Sequence, residues 1–240
     1  MSEFIDFKIK IADMKVRIVC TKEYTRFFCR EYIVDSDDFD ICVAASEEDV
    51  ENEIARLGEV KNPQFFETIY IYRQIVGKLP YYNRFAFHGA TVEVDGKGYI
   101  FAAPSGTGKS THVSLLKKYF GDRVTVINGD KPIIKVSEDC IEVCSCPWCG
   151  KEGWQTNKQT PLGGIVLLER AEENSIKKIE PSEYLEKLVL QTFVPEDGES
   201  FLRILDLMDK VSKSVPFYLL ECNISDEAAK TSFEMMTDGI

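Results

Sequence analysis

The stretch Phe101-Ala-Ala-Pro-Ser-Gly-Thr-Gly-Lys-Ser-Thr111 is the part of the sequence around which the rest is arranged. The apolar residues Gly98 to Ala102 predict a buried strand before it, and Thr111 to Tyr119 predict a helix after it. Because glycine carries no Cβ atom, Gly106 and Gly108 leave the backbone N–H groups of the connecting loop open to an anion. The sequence therefore predicts a phosphate-binding loop at a helix N-terminus, where the helix dipole favours negative charge.

Two side chains of this loop have the chemistry that a nucleoside triphosphate requires. Lys109 supplies a cation for the β- and γ-phosphate oxygens, and the Ser110 hydroxyl is a ligand of the kind that Mg²⁺ takes. A Walker-type loop begins with glycine, whereas this one begins with Ala103, so we expect a negative φ or strain there. The predicted nucleotide-binding residues are Ser105, Gly106, Thr107, Gly108, Lys109, Ser110 and Thr111.

The composition limits the classes of function. The 240 residues include 29 basic and 40 acidic side chains, which gives a net charge of −11. That balance argues against a broad nucleic-acid surface, which needs clustered basic residues. No apolar run approaches the roughly 18 residues of a membrane span, and the first residues lack the order of a signal peptide. We therefore expect a cytoplasmic protein with neither nucleic-acid nor membrane partners.

The first 80 residues predict a small α+β region. The alternating stretches Phe4 to Ile11 and Val16 to Cys20 predict a hairpin. The other elements predicted here are a helix at Thr21–Tyr32, a strand at Asp40–Ala44, a helix from a capping box at Ser46 to Leu57, and a helix at Phe65–Leu79. The character changes near Pro80, where we place the boundary between regions 1–80 and 81–240.

The second region predicts a mixed sheet. Phe85 to Val94 predicts one strand, and Asp95-Gly96 predicts a two-residue turn back into the strand that enters the phosphate loop. Such an antiparallel pair differs from the parallel sheet of ordinary P-loop NTPases. Further strands are predicted at Val124–Ile127, Pro132–Val136, Cys140–Cys144, Gly164–Leu168 and Pro216–Cys222, and helices at Ser182–Phe193, at Ser200–Ser214 and after Ser225.

Four of the eight cysteines lie in one ten-residue stretch, at Cys140, Cys144, Cys146 and Cys149. In a reducing compartment such residues bind a metal or remain thiols. Zinc sites usually pair two short cysteine knuckles across a longer loop, and this spacing differs from that pattern. We expect thiols without a metal role, with a zinc site as the alternative.

His88-Gly89, the hairpin, the phosphate loop, its helix and an apolar strand ending at Asp130 follow one another along the chain. This series resembles the catalytic domain of HPr kinase/phosphorylase and, more distantly, phosphoenolpyruvate carboxykinase. It is most similar to the short bacterial HPr-kinase-like proteins. The resemblance covers about residues 80–236. It implies an α/β P-loop fold of the type of the HPr kinase C-terminal domain, with a mixed sheet and a small α+β region at its N-terminus.

The resemblance also implies site residues. In that family the strand after the loop helix ends in two consecutive acids, one near the acceptor hydroxyl and one near Mg²⁺. The matching residues here are Gly129 and Asp130, so one carboxylate remains. The implied catalytic residues are Asp130, His88 and Lys109, and the implied metal ligands are Ser110 and Asp130. Glu152 is the first alternative to Asp130 as the acid.

Three further residues have two interpretations each. Trp148 and Lys151 occupy a Gly/Pro loop, where they either contact the nucleotide or pack the loop and face solvent. Arg170 follows the Gly164–Leu168 strand, where it either reaches the γ-phosphate or lies on the surface.

The predicted function is that of an ATP- and Mg²⁺-dependent kinase that transfers the γ-phosphate to a hydroxyl group. The acceptor is a seryl residue of a peptide or protein, or a small molecule, and the sequence does not distinguish them. The missing second acid supports an alternative, a nucleotide-binding switch without transfer, and makes the forward reaction a safer expectation than reverse phosphorolysis. A metal-binding regulatory protein is a third interpretation, and homo-oligomer formation is left open.

Overall fold

The computed structural model describes residues 4–57, 64–195 and 197–238, which form two β-sheets with helices packed on them. The N-terminal sheet begins with the predicted hairpin of β1 (Ile5–Ile11) and β2 (Met14–Cys20). Both turn residues, Ala12 and Asp13, have positive φ, which suits the twist of a tight hairpin. β3 (Ile33–Val34) and β4 (Ile41–Ala44) complete the order β3-β1-β2-β4.

The α-helices in the described part of this region are α1 (Glu23–Phe28), α2 (Glu47–Leu57) and α3 (Phe65–Lys78). The predicted capping box is confirmed, since Ser46 N donates to Asp49 Oδ2 at 2.8 Å. The predicted helix from Thr21 to Tyr32 was wrong in extent. The buried Glu67 carboxylate accepts the backbone N–H groups of Thr21 and Lys22, at 2.8 and 3.1 Å, which keeps these residues outside the helix.

The second sheet has the strand order β5-β9-β10-β11-β7-β6-β8, with β13 beside β11 and β12 beside β13. Its strands are β5 (Arg84–Ala86), β6 (Ala90–Val94), β7 (Lys97–Ala102), β8 (Val124–Asn128), β9 (Ile133–Val136), β10 (Ile141–Cys144), β11 (Gln159–Arg170), β12 (Ser175–Ile179) and β13 (Phe217–Cys222). β7 pairs antiparallel with β6 and parallel with β11, so the predicted α/β class with a mixed sheet is confirmed.

The predicted single strand Phe85–Val94 is instead two strands. Between them, His88 N donates to Gln191 O at 2.6 Å and Gly89 N donates to Asp130 O at 3.0 Å. These bonds connect the chain to two different segments and break the continuous ladder. The break places His88 at the edge of the sheet where the phosphate loop begins.

Helices cover both faces of this sheet: α4 (Lys109–Phe120), α5 (Leu185–Leu190), α6 (Gly198–Ser214) and α7 (Asp226–Asp238). Residues of α4 and α7 pack on Tyr99, Phe101 and Val166, and residues of α5 and α6 pack on the opposite face. The predicted helix Ser182–Phe193 was too long, because Pro181–Tyr184 form a 3₁₀ turn and Thr192 forms a β-bridge with Phe87.

One core cluster draws residues from both sides of the boundary predicted at residue 80. Ile9 and Ile71 lie in it together with Ile133, Cys146 and Trp148. The division into regions 1–80 and 81–240 stays a prediction. In the parts of the chain that the structure describes, none of the helices combines the length and the apolar character that crossing a membrane requires.

Candidate functional site

The predicted phosphate loop connects the C-terminal end of β7 to the first turn of α4. Gly106 and Gly108 have positive φ values of 81° and 130°, and a Cβ atom at either would meet no described atom within 4 Å. Ala103 is not among the described residues with positive φ, so the loop begins without backbone strain at that position. The glycines therefore give the loop an open concave side.

Lys109 lies at the first helical position and is only 8% exposed. Its Nζ donates to Ala103 O at 2.6 Å and to Pro104 O at 3.5 Å. Burial lowers the pKa of Lys109, and the charge of Asp130 opposes this shift. The ammonium thus lies within range of the charge of Asp130 and donates hydrogen bonds to neutral carbonyl groups.

Asp130 follows β8 in a turn that Asn128 holds. Asn128 Oδ1 accepts the backbone N–H groups of Asp130 and Lys131, at 2.9 and 2.7 Å. One Asp130 oxygen lies 3.2 Å from His88 Nε2, and the other binds Lys131 Nζ. Burial would raise the pKa of Asp130, but His88 and Lys131 together hold it well below its usual range. The carboxylate is therefore ionised at neutral pH.

The residue before this acid is enclosed by backbone. A Cβ atom on Gly129 would lie 2.7 Å from the carbonyl oxygen of Cys149, closer than real Cβ contacts come. A Cβ atom on Gly150 would lie 2.9 Å from Asp130 Cβ and 3.7 Å from Glu152 Oε2. Position 129 therefore has no room for an acid in this backbone, and Glu152 places a second carboxylate near Asp130.

Arg170 contacts the phosphate loop from the neighbouring strand. Its Nε donates to Thr107 O at 2.8 Å and its Nη2 donates to Gly106 O at 2.5 Å. It lies at the end of β11, which pairs in parallel with β7. The guanidinium therefore supports the shape of the loop from an exposed position, and its contact with the γ-phosphate stays a prediction.

Trp148 packs against α3. Its side chain is buried in the core, its Nε1 donates to Thr68 O at 3.0 Å, and its ring lies 5.1 Å from that of Tyr72. These contacts support the packing interpretation. Lys151 is 90% exposed in its side chain, with Glu152 Oε1 at 3.9 Å.

The four clustered cysteines contact different partners. Cys144 Sγ lies 3.7 Å from Gln159 Oε1, whereas Cys146 Sγ lies 3.0 Å from Lys131 O. Burial raises the pKa of the Cys144 and Cys146 thiols to about 12, which keeps them protonated. Among the described residues, no three His, Cys, Asp or Glu side chains are grouped as a metal site would need. The absence of a metal role stays a prediction.

The structure brings most of the predicted site residues to one edge of the second sheet. The loop follows β7, Asp130 follows β8, and His88 precedes β6, so strand order alone places them side by side. Ser110 and Thr111 lie in the first turn of α4, where Ser110 is half-buried and Thr111 is exposed. Their roles in binding nucleotide and metal remain predictions.

Sequence analysis missed Gln191, which lines a cavity beside the loop. It lay within a segment predicted as one helix, where an amide side chain carries no special signal. A backbone contact, from His88 N to Gln191 O at 2.6 Å, connects it with the site.

Among solved structures, the Hpr(Ser) kinase/phosphatase from Coxiella burnetii is similar to this chain with a TM-score of 0.38 and 10% sequence identity. The similarity covers 64% of this chain and 97% of that one. No protein-family model and no curated protein matches the sequence. A likeness of this degree carries no conclusion about activity, so a functional proposal rests on the site itself.

Proposed function

We propose that this protein is an ATP- and Mg²⁺-dependent kinase that transfers the γ-phosphate to a hydroxyl group of a peptide, a protein or a small molecule. One observation carries the proposal: a buried lysine lies at the base of an open glycine loop, within electrostatic reach of a carboxylate. Phosphoryl transfer needs this combination of charge neutralisation and positioning and little covalent chemistry from the protein. The fold we propose is the P-loop type of the HPr kinase C-terminal domain.

In the proposed reaction, different residues of the chain have different roles. The backbone N–H groups of loop 105–110 bind the phosphates at the N-terminus of α4, where the helix dipole adds a favourable field. Lys109 balances the charge of the transferred group. Asp130 lies near the acceptor hydroxyl, and His88 holds one of its oxygens at 3.2 Å. Asn128 fixes the turn that presents Asp130.

The available donors fit a magnesium ion that is shared with the substrate. Mg²⁺ in kinases usually takes one or two protein oxygens and completes its coordination with phosphates and water. Ser110 and Asp130 are the residues that would hold it, and the ion would supply charge neutralisation on the phosphate oxygens. A full cage of protein ligands is not required, which agrees with the lack of a three-residue cluster in the described part of the chain.

A nucleotide-binding switch without transfer is the second candidate, and the close packing at Gly129 favours it. That position excludes a paired acid, so acid–base chemistry depends on Asp130, with Glu152 as its neighbour. Hydrolysis of ATP would not separate the two candidates, because switches also hydrolyse nucleotide. A phosphorylated acceptor would separate them.

Calorimetry of Mg-ATP binding tests the proposed site. In Lys109→Met we expect at least a ~10²-fold loss of affinity, because the buried cation nearest the phosphates is removed. Lys118→Met is the matched control, since Lys118 lies on the same helix with its ammonium near the Tyr119 hydroxyl. Unchanged affinity in Lys109→Met would refute the assignment of the site, and equal losses in both variants would indicate a general effect of charge.

A further inference from the structure

The phosphate loop contains two peptide groups that glycine leaves free to turn. They lie on either side of Thr107, between Gly106 and Gly108, whose φ values of 81° and 130° are both positive. Glycine adopts positive and negative φ with similar ease, so a peptide group beside it can reverse its direction at little cost. A loop that binds phosphate through backbone N–H groups needs these groups to point one way. Another part of the chain must therefore hold their direction.

Arg170 contacts both of these peptide groups. Its Nη2 donates to Gly106 O at 2.5 Å, and its Nε donates to Thr107 O at 2.8 Å. Two donors of one planar guanidinium thus bind two successive carbonyl oxygens, and the positive charge of the donor strengthens both bonds. The backbone of Arg170 is itself held in the sheet, because it pairs with Cys222 of β13. The guanidinium therefore extends from a rigid support.

The direction of the carbonyl groups determines the direction of the N–H groups. In a trans peptide the C=O and N–H bonds point to opposite sides, and none of the described peptide bonds is cis. With both oxygens held on the side of Arg170, the N–H groups of Thr107 and Gly108 point to the other side. The first of them donates there to Pro104 O at 3.3 Å, an oxygen that also accepts Lys109 Nζ at 3.5 Å. The N–H groups thus face the side of the loop on which the Lys109 ammonium lies.

The charge of Arg170 adds to this arrangement. Arg170 is exposed, and the acid next to it in sequence, Glu169, pairs with Lys187. The guanidinium lies at the oxygen ends of the two peptide dipoles, so their hydrogen ends are directed away from it, toward an anion in the loop. The donors are aligned before the anion arrives, which reduces the cost of ordering the loop on binding.

We infer that Arg170 is a positioning residue, which holds the two peptide groups between Gly106 and Gly108 in the direction that binds the phosphates common to ATP and ADP. The inference rests on the proposed nucleotide-dependent function. Backbone N–H groups of such loops bind the α- and β-phosphates, and ADP lacks only the γ-phosphate. Arg170 therefore acts on both nucleotides equally. Direct contact of Arg170 with the γ-phosphate, the alternative made from the sequence, would act on ATP alone.

Calorimetry of Arg170→Ala with Mg-ATP and with Mg-ADP separates these two roles. We expect the affinity for both nucleotides to fall by the same factor, about tenfold, because two charge-assisted hydrogen bonds that order the loop are removed. Hydrogen exchange of the Gly108 amide without nucleotide should become faster, since the peptide group is then free to turn. Arg203→Ala is the matched control, because Arg203 is an exposed arginine of α6 whose Nη2 binds Glu199 Oε1 at 2.9 Å.

Arg170→Met keeps the apolar stem of the side chain, and it replaces the alanine variant if that one does not fold. A loss of affinity for Mg-ATP without a loss for Mg-ADP would overturn the inference, as would unchanged affinity for both nucleotides or unchanged exchange at Gly108. Equal losses in Arg203→Ala would show a general effect of charge and overturn it as well. Failure of the wild-type protein to bind either nucleotide would overturn the proposed function, and the exchange measurement would still test the restraint at Gly108.

Discussion

Two glycine-containing segments meet at the candidate site and use glycine in opposite ways. In loop 103–108, a Cβ atom on Gly106 or Gly108 would touch nothing in the described part of the chain within 4 Å. In the turn after β8, a Cβ atom on Gly129 would lie 2.7 Å from Cys149 O. The first segment surrounds a space, and the second is filled by the chain itself. Glycine thus marks room for a ligand in one place and a close backbone contact in the other.

The charged side chains of the two segments, Lys109 and Asp130, also differ in how well they are paired. Lys109 in the loop binds carbonyl oxygens, and burial lowers its pKa, so its charged form is disfavoured in the protein alone. Asp130 in the turn is held by His88 and Lys131, which favour its charged form. A buried charge without an opposite charge in contact benefits most from a ligand. The loop is therefore the part of the site that gains from binding an anion.

The largest expected effect concerns catalysis at the turn. Asp130→Asn should reduce phosphoryl transfer by at least ~10²-fold, because the carboxylate that positions the reacting groups is neutralised. The readout is transfer to an acceptor, or slow ATP hydrolysis when no acceptor is at hand. Asp139→Asn, on the exposed turn before β10, is the matched control and should retain activity.

Near-wild-type activity in Asp130→Asn would mean that the acid lies elsewhere. Glu152 would then be the residue to change, since its Oε2 and Asp130 Cβ both lie within 4 Å of the position that a Cβ atom on Gly150 would take. A loss in Glu152→Gln and not in Asp130→Asn would reverse the roles assigned to the two carboxylates.

The second prediction compares the two kinds of glycine by their effect on stability. Gly129→Ala should lower the free energy of unfolding by about 2–3 kcal/mol, because the new methyl group meets a backbone carbonyl that cannot move alone. Gly106→Ala should lower it by only about 1 kcal/mol, from the positive φ. Urea unfolding monitored by circular dichroism measures both values. Equal stability of the two variants would remove the contrast between the segments.

The same contact bears on the acid that the resemblance leads one to expect at position 129. Gly129→Asp cannot add a working carboxylate without displacing the segment that carries Cys149. The expected outcome is a less stable protein without a gain in transfer.

The accuracy of the sequence predictions depends on how far apart along the chain the contacting residues lie. The hairpins, the loop and the starts of α2 and α4 depend on neighbouring residues, and these were predicted closely. The close approach at Gly129 involves a carbonyl twenty positions away, which no local pattern encodes. β12 was missed because Ser175–Ile179 has only two apolar residues, and its pairing with β13 defines it as a strand.

The site shows the same limit. Lys109 and Asp130 were predictable because each follows an apolar strand in a recognisable motif. Gln191 was not, because its place depends on the break between β5 and β6, where the sequence predicted a continuous strand. The backbone bond from His88 N to Gln191 O joins the end of α5 to this break.

The smallest expected effect compares the two lysines by thermal unfolding without ligand. At neutral pH, Lys131→Met should lower the free energy of unfolding by about 0.5–1 kcal/mol, because it removes the half-exposed cation that pairs with Asp130. Lys109→Met should leave the free energy of unfolding unchanged or raise it slightly. The pKa of Lys109 is lowered in the folded protein, so its charge opposes folding at pH values below its ordinary pKa of 10.5.

The dependence on pH follows from Asp130. Because the pKa of Asp130 is lowered in the folded protein, its contribution to stability is present above pH 3.8 and is lost as the pH falls through the lower folded-state pKa. The difference between wild type and Lys131→Met should therefore shrink as the solution is acidified below about pH 4. Two results would contradict this contrast: a difference that persists below pH 4, or a larger loss of stability in Lys109→Met than in Lys131→Met. Either would show that Lys109 is as well paired in the loop as Asp130 is in the turn.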